Sequence, residues 1–214
     1  FIYNYRINNS VPSLSCFSTE GDILSQWSSY AEDGSGVAIC FNSDEFDIEN
    51  KLPVTGAINK ITIGIHHVIY DIDEQKNIIN TIIDNWINRI DEGYQQEGAA
   101  VECMGLFKMY ATVFKNPSFL EEKEWRIIHY PLVMKTSENE TSMLGNISDI
   151  YFIERDGDII SRFEYDFSEK FNSNLIPEIV IGPKCKLENY DFGIYLSKIG
   201  LNETKIISSN ATYR

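Results

Sequence analysis

The sequence predicts a single α+β domain, residues 1–214, in which a mixed, mostly antiparallel sheet surrounds a central pair of helices. Two runs near the middle of the chain carry apolar residues at spacings of three and four, the signature of helices. Short β-branched or alternating runs lie on both sides of that centre. A length of 214 residues with no repeat, no low-complexity tract and no Pro- or Gly-rich linker fits one domain rather than two.

Each element has its own warrant. Ser13-Leu14-Ser15-Cys16-Phe17-Ser18 alternates small and apolar residues, as a half-buried strand does. Thr19-Glu20-Gly21-Asp22 is a capping sequence for a short helix over residues 23–30. Asp33-Gly34-Ser35-Gly36 reads as a turn, Val37-Ala38-Ile39-Cys40-Phe41 as a buried strand, and residues 61–70 as a second β-branched strand. Ile78, Ile79, Ile82, Ile83, Trp86, Ile87, Ile90 and Tyr94 form one wide helical face. A second helix is expected over about 99–114, with Leu106, Phe107, Tyr110, Val113 and Phe114 on its apolar side and Asn116-Pro117-Ser118 ending it. Residues 125–134 and 150–154 read as strands. The pair Asp156-Gly157 turns the latter into a hairpin with residues 159–167, through a loop of two or four residues. A short apolar strand over 179–183, a helix over about 190–199 and a strand over 205–209 complete the chain.

Composition narrows the function. With 18 basic against 32 acidic residues the formal charge is −14, which argues against an electrostatically driven nucleic-acid binder while leaving room for a local basic pocket. Aromatic residues at 13% and hydrophobic residues at 43% exclude a disordered chain. No apolar run approaches the roughly 18 residues of a membrane span. Cys16, Cys40, Cys103 and Cys185 are scattered without a C-x-x-C pair, and the apolar or small neighbours of Cys16, Cys40 and Cys103 read as those of reduced, packed cysteines. The opening Phe1-Ile2-Tyr3-Asn4-Tyr5-Arg6 has neither a signal peptide nor an initiator Met, so the chain is expected to be cytoplasmic and either a fragment or a processed product.

Phosphate-binding G-x-x-x-x-G-K-S/T and G-x-G-x-x-G loops are absent, as are H-E-x-x-H and G-x-S-x-G. His66 and His67 are adjacent on an expected strand and so point to opposite faces, and no metal site is expected. Two clusters remain. One joins Ser15 to Glu20 with Trp27, Tyr30 and the glycine turn at 34–36; its aromatic pair, three apart, shares a helix face that either packs on a sheet or faces a ligand. The other is Lys115 with Glu121-Glu122-Lys123-Glu124-Trp125-Arg126. On a strand, Glu122, Glu124 and Arg126 share one face. That face is either a solvated edge, slightly favoured by spacing alone, or the wall of a cleft in which Arg126 holds an anion bidentately.

Taken together, these segments resemble a bacterial domain-of-unknown-function family. Its members carry a CFS-E element, a W-x-x-Y-A…G-x-G-V-x-I-x-F run, an E-K-E-W-R segment and a late E-I-x-x-G-P strand. The counterparts are Cys16-Phe17-Ser18 with Glu20, residues 27–41, Glu122-Lys123-Glu124-Trp125-Arg126 after Lys115, and Glu178-Ile179-Val180-Ile181-Gly182-Pro183. Members usually begin with a further strand and helix bearing an F-N-D-P-like element, which is missing here. More distantly the pattern resembles ADP-ribosyltransferase-like toxins and phage-defence proteins. That resemblance implies an enzyme using NAD as substrate, without a metal. Glu124 would be its catalytic carboxylate with Glu122 as competitor, and Ser18, Trp27, Tyr30 and Arg126 would form the nucleotide pocket. The acceptor would be a protein or nucleic acid. The alternative is a non-catalytic nucleotide- or protein-binding module of a bacterial defence system. Neither alternative involves a membrane, and oligomeric state is left open.

Overall fold

The computed structural model describes residues 12–53, 62–135 and 141–212. It is an α+β fold whose strands pair mostly antiparallel and whose two longest helices are consecutive, as the sequence predicts. Among the described residues the strands form several small sheets rather than one. The backbone divides into two compact units, Phe1–Phe17 with Ile48–Tyr165 and Ser18–Asp47 with Asp166–Arg214. The chain therefore passes from one unit to the other three times, after residues 17, 47 and 165. No helix among the described residues is long and apolar enough to cross a membrane.

In the first unit, β1 (Ser13–Ser18, its last residue counted with the second unit), β3 (Ile63–His67) and β4 (Glu124–His129) form a sheet with β4 in the centre. β3 and β4 run antiparallel, with Ile65 opposite Ile127 and His67 opposite Trp125. Helix α2 (Ile72–Asp91) starts where Asp71 accepts the N–H groups of Asp73 and Glu74 at 2.8 Å. Asp73 and Glu74 also put negative charge at the positive end of the helix dipole. The predicted face is narrower than its eight residues suggest: Ile82 is buried, Ile83 and Ile87 are exposed, and Tyr94 lies beyond the helix, which ends at Asp91. Only part of the stripe meets a neighbour, so its flanks stay in water. Helix α3 (Gln96–Ala111) begins and ends about three residues earlier than expected. The Asn116 side chain then accepts from Ser118 N–H at 2.9 Å and opens a 3₁₀ turn, Pro117–Glu122.

The core of this unit gathers Ile69, Val113 and Ile128, with Leu52, Ile78, Tyr110 and Phe114 packed against them. Gln75 Nε2 ties α2 to that core by donating to the carbonyls of Ile69 at 2.7 Å and Lys115 at 2.9 Å. Hairpins β5–β6 (Leu132–Lys135, Thr141–Leu144) and β7–β8 (Tyr151–Arg155, Asp158–Arg162) follow. The second hairpin turns on two residues, Asp156 and Gly157, at φ of +55° and +85°. These positive angles match the right-handed twist of the flanking strands, which makes Asp-Gly a tight hairpin turn.

In the second unit, β2 (Val37–Cys40) pairs antiparallel with β9 (Glu178–Ile181), and β10 (Lys205–Ser208) pairs parallel with β9 on its other side. Helix α4 (Asn189–Lys198) connects the parallel pair. Helix α1 (Leu24–Tyr30) lacks the side-chain cap expected from residues 19–22. Asp22 instead accepts Trp27 Nε1–H at 2.6 Å, Ser209 Oγ–H at 2.5 Å and Asn210 N–H at 2.8 Å. Three donors to one carboxylate, despite partial desolvation, hold its pKa below the ordinary value.

Candidate functional site

The central strand β4 carries the densest electrostatics of the first unit. Lys123, at a left-handed φ of +44°, ends the 3₁₀ turn and swings the chain into the strand. Glu122 therefore closes the turn and does not share the strand face with Glu124, as the alternating pattern predicts it should. It rejoins the cluster from the turn, its carboxylate accepting from Lys115 Nζ. Lys115 is placed by an isolated bridge between Ile69 and Phe114, in which Ile69 N–H donates to Val113 O at 2.8 Å. Its Nζ also reaches Glu124 Oε2 at 3.0 Å and lies 4.9 Å from the centre of the Phe119 ring.

Glu124 and Arg126, two apart on one strand face, form a fork-to-fork pair: Nε to Oε1 at 2.9 Å and Nη2 to Oε2 at 3.0 Å. The remaining arm of the guanidinium, Nη1, donates to Thr112 O at 2.5 Å. Glu124 N–H donates to Tyr70 Oη at 3.0 Å, and Glu124 O accepts from Val68 N–H at 2.8 Å. The solvated edge favoured by spacing is thus overturned, because β4 has a strand on either side and Glu124 is only 6% exposed. An alternating pattern tells which side chains share a face and says nothing about what covers it.

Burial works against the charge of Glu124, yet hydrogen bonds from Arg126, the Cys16 thiol and Lys115 hold its pKa down at about 2. Desolvation, then the neighbouring Glu124, pushes the Cys16 thiol up to about 11, so it sits beside the carboxylate as a protonated donor and not as a nucleophile. Partial burial disfavours the Lys115 cation, but Glu122 and Glu124 outweigh it and raise its pKa. Glu124 therefore stays ionised at neutral pH between two cations, Lys115 and Arg126.

Of the residues singled out from sequence, Glu122, Glu124 and Arg126 come together around Lys115. Ser18, Trp27 and Tyr30 belong to the second unit. Ser18 Oγ accepts from Glu20 N–H at 3.1 Å in a local turn. Trp27 is 2% exposed and Tyr30 is 74% exposed, so the shared aromatic face is not formed. Three residues on a helix leave an offset of about 60°, and α1 buries a narrower arc than that. His66 and His67 also depart from strict alternation: His66 Nδ1 lies 2.7 Å from the His67 carbonyl, and the two rings stack with centroids 4.5 Å apart. Tyr70 and Thr112 are members of the cluster that sequence reasoning missed. Tyr70 accepts from the backbone N–H of Glu124 and Thr112 offers its own carbonyl to Arg126, contacts that no local pattern announces.

Residues 26–127 match a family described as "protein of unknown function (DUF2971)". Over that stretch the chain is similar to an uncharacterised domain family, and the match takes in Trp27, Tyr30, Lys115, Glu122, Glu124 and Arg126 while leaving out Cys16, Ser18 and β9. No curated protein and no solved structure matches the chain.

Proposed function

We propose that this chain is an NAD-using, ADP-ribosyltransferase-like enzyme, an effector of bacterial toxin or phage-defence type, with Glu124 and Glu122 as its catalytic carboxylates. One observation carries the reading: both carboxylates reach the same ammonium, Lys115 Nζ, while Glu124 stays ionised far below neutral pH. Once Lys115 turns away, two carboxylates are left against the single cation Arg126, and the surplus negative charge can meet positive charge on a ligand. Cleavage of the nicotinamide–ribose bond develops such charge on the ribose, and a fixed carboxylate beside the 2′-hydroxyl lowers the energy of that state. Arg126, whose fork is occupied by Glu124 and Thr112, positions Glu124. Lys115, on its flexible stem, yields its place to the ribose and turns to the pyrophosphate. The ribosyl acceptor in this reading is a protein or nucleic acid. The assignment of reaction class rests on resemblance as well as on geometry.

A second reading, a nucleotide- or protein-binding module without chemistry, is favoured by the crowding of Glu124, whose oxygens already face Arg126, Lys115 and Cys16. Nicotinamide release from NAD, followed by chromatography for the wild type, Glu124→Gln and Glu122→Gln, separates the two. The enzyme reading expects release that drops by about 10²-fold or more in Glu124→Gln. Release unchanged in both variants overturns it. No release from the wild type, with a thermal shift on adding nucleotide, selects the binding module.

A further inference from the structure

The β7–β8 hairpin is a two-stranded sheet that leaves large apolar side chains in water: Phe152 is 67% exposed, Ile159 79% and Ile160 41%. No other strand among the described residues pairs with it. An isolated hairpin of this kind is marginal in water, and an uncovered edge invites another strand. The usual guards, a proline or an outward lysine, are missing from Asp158-Ile159-Ile160-Ser161-Arg162.

The register decides which strand fits. Across the two-residue turn, Arg155 faces Asp158, Ile153 faces Ile160 and Tyr151 faces Arg162. With so tight a turn the closing pair exchanges its hydrogen bonds inside the hairpin, and so does every second pair after it. The N–H and C=O groups of Ile159 and Ser161 are thereby turned to the outer edge. If a second β8 approaches antiparallel about a two-fold axis at Ile160, Ile159 meets Ser161 of the other copy in a hydrogen-bonded pair, twice. In that same register Asp158 lies opposite Arg162 of the other copy at both ends, and Ile160 meets Ile160 at the centre.

We propose that the outer edge of β8 is a homodimer interface, in which two copies of this chain join their hairpins into one four-stranded antiparallel sheet. The occupant is a second copy because the edge is self-complementary in charge and in backbone groups in one register, as an isologous contact requires. Arg162 already pairs with Glu164 at 2.9 Å, both about half exposed, so Asp158 of the other copy adds to a pair that remains solvated. Long-range repulsion between two chains of charge −14 opposes the contact and makes the dimer concentration-dependent.

The test is sedimentation equilibrium of the 214-residue chain across a range of concentrations. The wild type is expected to pass reversibly from 24.6 kDa to twice that mass. Ser161→Pro removes one outward N–H and leaves the inward ladder intact, so dimerisation should weaken at least tenfold. Ile160→Asp and Ile160→Lys should each be monomeric, because like charges then meet on the axis, while an equimolar mixture of the two should dimerise. A wild type that stays monomeric, a dimer indifferent to Ser161→Pro, or a mixture that stays monomeric overturns the proposal.

Discussion

Replacing Glu124 by glutamine keeps the length of the side chain and one acceptor oxygen but removes the charge that Arg126 and Lys115 enclose. In the folded protein this carboxyl is held at about 2, against an ordinary 4.5. The folded state binds the proton more weakly than the unfolded chain, so the stabilisation is complete above pH 4.5 and drains away as the pH falls towards 2. The gap between the two values corresponds to about 3 kcal/mol at neutral pH, of which about 2 kcal/mol is gone by pH 3. Glu124→Gln also leaves two cations short of a partner, and breaking a buried pair costs roughly 3–5 kcal/mol; the retained carbonyl puts this variant at the low end. Urea unfolding of both proteins, followed by tryptophan fluorescence from pH 7 to pH 3, reads the difference directly. Contributions from other carboxyls such as Asp22 cancel in the comparison. We expect the wild type to lead by about 3 kcal/mol at pH 7 and by about 1 kcal/mol at pH 3. A lead that stays constant across that range refutes the assignment of a strongly paired, ionised Glu124.

Three further outcomes follow from the same structure. His129 is buried, with Nδ1 3.2 Å from Thr62 O and no partner for Nε2 among the described residues; burial lowers its pKa below 6.5. Its ring stays neutral while the unfolded chain takes up a proton, so stability is lost as the pH falls below 6.5, and His129→Phe should flatten the urea midpoint between pH 7 and 5. Gly182 donates its N–H to Gly36 O at 3.0 Å, and a Cβ there would stand 2.5 Å from Gly34 O. Gly182→Ala should therefore cost about 1–3 kcal/mol, measured as a drop in Tm, because the obstacle is backbone and cannot rotate away. Asp22→Ala should red-shift Trp27 emission and lower stability by about 1–3 kcal/mol through the orphaned indole N–H, whereas Asp22→Asn should recover much of that loss.

What the sequence made legible follows from how far apart the interacting residues lie. Lys115, Glu122, Glu124 and Arg126 fall within a dozen positions, so a turn and a strand suffice to assemble them, and the local pattern points to the right side chains. The Asp156-Gly157 turn is readable for the same reason, since two residues set their own backbone angles. Tyr70, 54 positions from the amide it receives, leaves no local trace. Asp22 reads as a helix cap because capping is a short-range habit of aspartate, but its partners Ser209 and Asn210 stand at the far end of the chain. The alternation in residues 122–126 correctly pairs Glu124 with Arg126. It misplaces Glu122, because a single left-handed residue, Lys123, resets the phase.

The threefold passage of the chain between its two units has a consequence for synthesis and for dissection. Residues 48–165 of the first unit emerge from the ribosome as one stretch, whereas β2 is made early and must wait for β9, some 140 residues later, before its edge is covered. During that interval the nascent second unit offers an unpaired apolar strand to chaperones or to aggregation. A fragment trimmed to the family-matched residues 26–127 would make that wait permanent, holding β2 without β9 and β4 without its last two residues. The stretch that resembles the family is therefore not a unit that can be expected to fold when cut out.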